Sequence, residues 1–278
     1  MKLLVGTLYS GENELEECLK SIHAQRYTNY DHILIENLPE LEAHYQLYKT
    51  FLDHTQEYEL LVKVDADTVL CSDKLFGHLV ETFEQDPSLE VLNIGVLDFF
   101  TDEMIPAGIQ IYRKTTRWNF ENDTVFPDVP IMDHERYRYD TTVLAPAAWH
   151  SPNPSIPQAF HYGVHRGIKS IQKIHSTTHW ANMQKVWHHF LQTRDVRLGF
   201  AVLGAELVYA GTFNRKDQDY TNPRMGEMLC TYKGMDAKQL EREIRRLRFL
   251  HWGFLPDDLR RRVLRYTRGK LDENWDQS

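Results

Sequence analysis

The chain has 278 residues, 42% hydrophobic and 26% charged, which is enough apolar material for one large α/β domain or for a domain with an appendage. Its net charge is −8, and the only strongly basic stretch runs from Asp236 to Lys270, so a global nucleic-acid footprint is excluded. Cys18, Cys71 and Cys230 are scattered, odd in number and far from C-x-x-C spacing, which argues against a disulfide framework and for a reducing compartment. The opening MKLLVGTLYSGENE is too short in apolar residues for a secretory h-region, and no later run approaches membrane-spanning length. The expected location is the cytoplasm.

Leu3 to Leu8 reads as a short apolar strand that Tyr9, Ser10 and Gly11 turn into a helix, with Leu15, Cys18, Leu19 and Ile22 on one face. His32 to Ile35 is a second strand, ending at Glu36 and Asn37. Strand, helix and strand make a βαβ unit, which is parallel and right-handed almost without exception. Glu40 to His54 follows as a helix with Leu41, Tyr45, Tyr48 and Leu52 inward. Then comes LLVKVDADTVL, Leu60 to Leu70, an apolar strand that ends in Asp65 and Asp67. Strand alternation places the two carboxylates on one side of the carboxyl edge, where open α/β sheets bind ligands. Close together, they repel unless a cation lies between them, and Mg2+ or Mn2+ completed by a diphosphate is the simplest occupant. The plainer reading is a solvated acidic turn.

From Val5 to Asn37, with Tyr9, Glu14, Cys18-Leu19-Lys20-Ser21, Gln25, Tyr27 and ILIEN, the chain resembles the amino-terminal half of a GT-A glycosyltransferase of the family-2 type, and KVDADTV resembles that family's D-x-D strand. The likeness spans about residues 3 to 113 and extends more loosely to 163. It implies a Rossmann-like, mostly parallel sheet flanked by helices over residues 1–215, with 216–278 as a helical carboxyl-terminal extension. It also implies an inverting transfer of a sugar from a nucleotide-diphosphate donor, UDP-sugar favoured, to a hydroxyl on a glycan, lipid-linked or small-molecule acceptor. Thr7, Tyr9, Glu36 and Asp65 are the implied nucleoside contacts, and Asp65, Asp67 and His161 the implied ligands of Mn2+ or Mg2+. Glu36 stands where the family usually has aspartate, and Asn37-Leu38-Pro39-Glu40 replaces an acidic Gly-Ser loop, which leaves base and sugar preference open.

Asp73 to Gln85 is a further helix with Leu75, Leu79, Val80 and Phe83 inward, and strands follow at Glu90 to Phe100 and, after a Pro106-Ala107-Gly108 turn, at Ile109 to Tyr112. Thr116 to Pro130 reads as a loop whose Trp118, Phe120 and Phe126 either stack on sugar rings or pack locally. By position in the family, Asp133 is the implied catalytic base and Glu135 its substitute, ahead of a strand at Thr141 to Leu144; the alternative is that both are surface acids pairing with Arg136 and Arg138. His165 competes with His161 as metal ligand, and His175 with His179 has a zinc-like spacing but no third ligand.

Leu198 to Ala210 is a mostly apolar run too short for a bilayer and reads as a buried helix. The last two basic helices, Ala237 to Leu250 and Pro256 to Thr267, either meet an anionic membrane surface or pack on the domain with solvated arginines. Two other functions fit an acidic Rossmann-like sheet. A sugar-nucleotide pyrophosphorylase would need a glycine- and lysine-rich loop after the first strand, where Tyr9-Ser10-Gly11-Glu12 stands instead; a non-catalytic nucleotide-binding or assembly subunit would keep the fold without turnover.

Overall fold

The computed structural model describes residues 1–118, 136–140, 142–171, 176–213, 217, 219 and 222–251. Contacts divide the chain after Pro154 into two compact units, Met1–Pro154 and Ser155–Ser278. The described helices of the second unit before residue 215, Ile156–Ser170, Ser176–Thr193 and Val196–Tyr209, pack on one another, and the last of them packs on the helix Ala237–His251.

The first unit is an α/β sheet. Its elements are β1 (Leu3–Tyr9), α1 (Leu15–His23), β2 (Tyr30–Glu36), α2 (Glu40–Asp53), β3 (Leu60–Val64), β4 (Thr68–Leu70), α3 (Leu75–Gln85), β5 (Val91–Asp98), β6 (Glu103–Arg113), β7 (Tyr137–Asp140) and β8 (Ala148–His150). The strand order is β2-β1-β3-β6-β5-β8-β4, with β7 beside β5. The first three strands are parallel, as the βαβ reading requires, while β6 runs antiparallel to both β3 and β5. All five residues of β3 are buried, as expected of a strand covered on both faces. Leu3, Val5, Leu60, Val62 and Val64 meet Cys18 and Ile22 of α1 and the apolar face of α3. Leu4 and Leu61 lie on the opposite face in a cluster with Leu47, Tyr48 and Phe51 of α2. Each such side chain contributes about 1.5–3 kcal/mol by leaving water.

Three local expectations differ from what forms. The buried stripe of α2 is Ala43, His44, Leu47, Tyr48 and Phe51 rather than Leu41, Tyr45, Tyr48 and Leu52. Gly6 decides this: a Cβ there would strike Leu47, so the bare backbone of β1 admits the leucine. Second, Pro106-Ala107-Gly108 is not a turn but lies within β6, where its pairing with β5 shifts register between Asn93 and Gly95. Gly108 takes φ +74°, so the strand bends without breaking. Third, the strand expected at Thr141 to Leu144 forms earlier, as β7. Asp140 ends it, its Oδ1 accepting from the N–H (2.9 Å) and hydroxyl (2.7 Å) of Thr142.

The described helices of the second unit are α4 (Ile156–Ser170), α5 (Ser176–Thr193), α6 (Val196–Tyr209), α7 (Pro223–Thr231) and α8 (Ala237–His251). Helix α4 opens with a capping box between Ser155 and Gln158. Helix α6 is buried from Leu198 to Tyr209, which accounts for the apolar run. Among the described residues no helix is long and apolar enough to cross a membrane. Helices α4 and α6 meet backbone to backbone through glycines: a Cβ on Gly163 would collide with the Ala201 carbonyl, and one on Gly204 with that of Phe160. The arginines of α8 are largely committed within the unit. Arg245 and Arg246 pair with Glu241 and Glu243 on the same helix, and Arg248 reaches the buried Glu206 of α6 at 2.6 Å. For the described part of this basic segment, packing on the fold is the reading the contacts favour; Pro256 to Thr267 lies outside the described residues.

Since the neighbour of Gly163 is backbone that cannot rotate away, Gly163→Ala should destabilise the protein by about 1–3 kcal/mol in urea unfolding, with little change in the slope of the transition.

Candidate active site

The carboxyl end of β3 does not carry its two acids on strand positions. Asp65 to Asp67 form a turn closed by the Thr68 N–H onto the Asp65 carbonyl at 2.9 Å, so strand alternation does not set where the carboxylates point. The turn is fixed from both sides: the Asp65 N–H donates to the Gly108 carbonyl of β6 at 2.9 Å, and the Ala66 N–H to Leu8 of β1 at 3.3 Å. Gly108 must be glycine for a second reason, because a Cβ there would run into the Thr68 hydroxyl.

The two acids are held by different partners. Asp65 Oδ1 accepts from Lys63 Nζ at 2.5 Å. Lys63 lies two residues back on β3, and its side chain is only 4% exposed against 34% for Asp65. The buried ammonium and the half-buried carboxylate compensate one another, so neither is left unpaired in a low-dielectric setting. Asp67 instead faces β8 and the residue after it. Its Oδ2 accepts from Ser151 Oγ at 2.6 Å and stands 3.3 Å from His150 Nε2. The Ser151 N–H also donates to the Asp67 carbonyl at 2.6 Å, and Ser151 takes φ +48° to do so, a strained conformation for a residue with a Cβ. Behind His150, its Nδ1 meets Asp98 Oδ1 at 2.7 Å. Asp98 has no solvent exposure. Burial alone would push its carboxyl up, but the hydrogen bond and charge of His150, with the hydroxyl and N–H of Thr101, outweigh burial and hold it below the ordinary carboxylate range.

A third acid adjoins the pair. Burial, with the negative charges of Asp67 and Asp65 adding to it, pushes the Glu12 carboxyl up to about 7 against the pull of the Ser10 N–H. The loop after β8 is latched to the same region, since the Asn153 N–H donates to Glu14 Oε1 at 2.9 Å.

The expected nucleoside contacts are placed as follows. Tyr9 and Glu36 sit opposite one another at the carboxyl ends of β1 and β2, Tyr9 partly buried and Glu36 exposed. Thr7 is fully buried, its hydroxyl 3.0 Å from His32 Nε2. His161 lies on α4 in the second unit, its ring 5.8 Å from that of His165. Asp133 and Glu135 lie outside the described residues, as do His175, Phe120 and Phe126. Trp118 is 7% exposed and stacked on Tyr48 at 4.4 Å between ring centroids, so local packing accounts for it. Among the described residues Arg136 pairs with Glu90 and Arg138 with Asp86.

Sequence reasoning missed Asp98, His150 and Ser151, and it left Lys63 between facing into the sheet and reaching a phosphate, whereas its ammonium meets Asp65. Asp98, His150 and Ser151 reach the site only because β8 pairs with both β4 and β5, a long-range register without a local signal.

Among the described residues no three His, Cys, Asp or Glu side chains form a group able to hold a metal ion by themselves. The donor chemistry nonetheless suits a divalent cation of the Mg2+ or Mn2+ kind, which protein sites commonly hold by one or two carboxylates while substrate phosphates and water fill the remaining positions.

No family profile and no curated protein matches this chain. Solved structures similar to it include A197 from STIV, at 13% identity and TM-score 0.32, over 41% of this chain and 66% of that one. A glycosyltransferase involved in the glycosylation of the major capsid of PBCV-1 is similar at 11% identity and TM-score 0.29, over 40% of this chain and 60% of that one. TarS from S. aureus is similar at 14% identity and TM-score 0.32, over 81% of this chain and 54% of that one. The chain thus matches between about half and two thirds of the length of these structures.

The raised Glu12 carboxyl has a consequence for stability. The folded state binds a proton there up to about pH 7, above the unfolded value of 4.5, so Glu12 costs stability once pH rises through that window. Glu12→Gln should therefore raise the melting temperature of the metal-free protein at pH 8 and leave it unchanged near pH 4, as read by differential scanning calorimetry.

Proposed function

We propose that this protein is a metal-dependent glycosyltransferase that moves a sugar from a nucleotide-diphosphate donor to a hydroxyl acceptor with inversion. The observation that carries the reading is the fixed turn at the end of β3, which holds Asp65 and Asp67 next to the carboxyl ends of β1 and β2 with one acid already matched by Lys63. Open α/β sheets place their ligands at this edge, and the D-x-D resemblance assigns the donor diphosphate to the same place. A UDP-sugar is the favoured donor and a glycan, lipid-linked or small-molecule hydroxyl the acceptor.

In this reading Tyr9 and Glu36 border the nucleoside, Asp65 serves ribose and metal, and Asp67 binds the metal. Bound Mn2+ or Mg2+ would supply charge neutralisation for the departing nucleoside diphosphate. The ammonium of Lys63 orients Asp65 before the donor arrives, so less reorganisation is left to the moment of reaction. Asp133, or Glu135 in its place, takes the proton of the acceptor hydroxyl as that oxygen attacks the anomeric carbon from the face opposite the diphosphate.

The test is release of UDP from a panel of UDP-sugars with Mn2+. Loss of one metal-binding carboxylate should cost more than the factor of about 10–100 typical of outer-shell partners, so Asp67→Asn should lower release by over about 100-fold while the far-UV spectrum is kept. No UDP release and no UDP binding by the parent protein would overturn the reading. For the base, Asp133→Asn should lower turnover by about 10²–10⁴-fold with UDP affinity retained by calorimetry. Equal turnover in Asp133→Asn and the parent, together with loss in Glu135→Gln, would move the role to Glu135.

A further inference from the structure

We propose that His150, aimed by the buried Asp98, is a direct ligand of the divalent cation alongside Asp67. The inference rests on the reading of the β3 edge as a donor-diphosphate site, and adds a histidine and a positioning carboxylate that neither motif nor spacing points to.

The geometry around His150 is that of an imidazole prepared for a cation. A histidine that ligates a metal characteristically gives its other ring N–H to a carboxylate, which fixes tautomer and ring orientation. Here Nδ1 stands 2.7 Å from Asp98 Oδ1. Asp98 cannot turn away, because its Oδ2 is taken by the Thr101 N–H at 2.8 Å and the Thr101 hydroxyl at 2.7 Å. The backbone of β8 is pinned as well, with His150 in register with Thr68 of β4 on one side and Asp98 of β5 on the other. With Nδ1 on Asp98, Nε2 faces Asp67 Oδ2 at 3.3 Å, and the positive charge that His150 lends to Asp98 in the metal-free site is a proton on this ring, which a cation would replace. Two acceptors at that separation need positive charge between them, either a proton or a metal ion. Ligand atoms on adjacent corners of an octahedron with bonds of 2.0–2.1 Å lie about 3 Å apart, so the two atoms already stand near the spacing that one ion would ask of them. Ser151 holds the same Asp67 oxygen at 2.6 Å, which orients the carboxylate toward β8. The pair makes only part of a coordination shell, and a donor diphosphate and water would complete it.

The experiment uses the full chain with Mn2+ and UDP and reads the electron spin-echo envelope of the bound ion, which detects a directly coordinated nitrogen independently of turnover. Expected are a histidine nitrogen coupling in the parent that changes with 15N-histidine labelling, its loss in His150→Gln, and its retention in His161→Gln. Asp98→Asn should weaken Mn2+ affinity by about 10–100-fold, the range typical of an outer-shell partner. Bound Mn2+ without a histidine coupling, or a coupling that persists in His150→Gln, overturns the proposal and leaves glycosyl transfer standing if UDP release continues. No Mn2+ binding with or without UDP overturns both the proposal and the metal-dependent part of the functional reading. Should His150→Gln fail to fold, His161→Gln decides: loss of the coupling there transfers the role to His161 and overturns the proposal.

Discussion

The constraint on which the site depends is the compensation of negative charge at the turn after β3. Asp65, Asp67 and Glu12 lie near enough to one another that the two aspartates help raise the Glu12 carboxyl, and Asp98 is buried one layer behind them. Such a concentration of carboxylates is tolerated only because each is answered locally. Lys63 answers Asp65, His150 stands between Asp67 and Asp98, and Ser151 and Thr101 supply hydroxyl and backbone donors. Glu12 is answered only by backbone N–H groups, those of Ser10 and of Glu12 itself, and burial pushes its carboxyl up.

The fold serves this arrangement by fixing backbone first. Gly108 bends β6 so that its carbonyl reaches the Asp65 N–H, and it leaves room for the Thr68 hydroxyl beside it. Gly6 lets Leu47 seat α2 on the sheet, which packs the face opposite α1 and α3. Both glycines are chosen by close approach, one also by a positive φ. The strained Ser151 is the counterpart on the other side of the turn: its backbone cost is offset by two hydrogen bonds to Asp67.

The helical unit from Ser155 onward solves a different problem. A helix buried nearly all round, α6, needs neighbours that approach closely, and Gly163 and Gly204 provide the contact with α4. Arg245, Arg246 and Arg248 of α8, in a stretch that the sequence leaves between an anionic surface and packing on the domain, are spent on Glu241, Glu243 and Glu206. Arg248 also lies 4.6 Å from the Trp187 ring centroid, so its long side chain packs as well as pairs. Charge counted along a helix therefore overstated what that helix offers to a partner.

Local sequence determined the elements whose cause is local. Alternating apolar strands and amphipathic helices predict the parallel β1, β2 and β3, and the buried stripe from Leu198 onward predicts α6, because periodicity and burial are properties of adjacent residues. D-x-D likewise marked the edge of β3 without help from the fold. Tertiary structure alone decided which groups complete the site. Asp98 and His150 are 52 positions apart and meet through the pairing of β5 with β8, and Ser151 reaches Asp67 across 84. Register between distant strands is set by packing of the whole sheet, so no window of residues contains it. The same holds for the turn at Asp65 to Asp67, whose carboxylates are aimed by Gly108, Lys63 and Ser151 rather than by the alternation of the strand that leads into them.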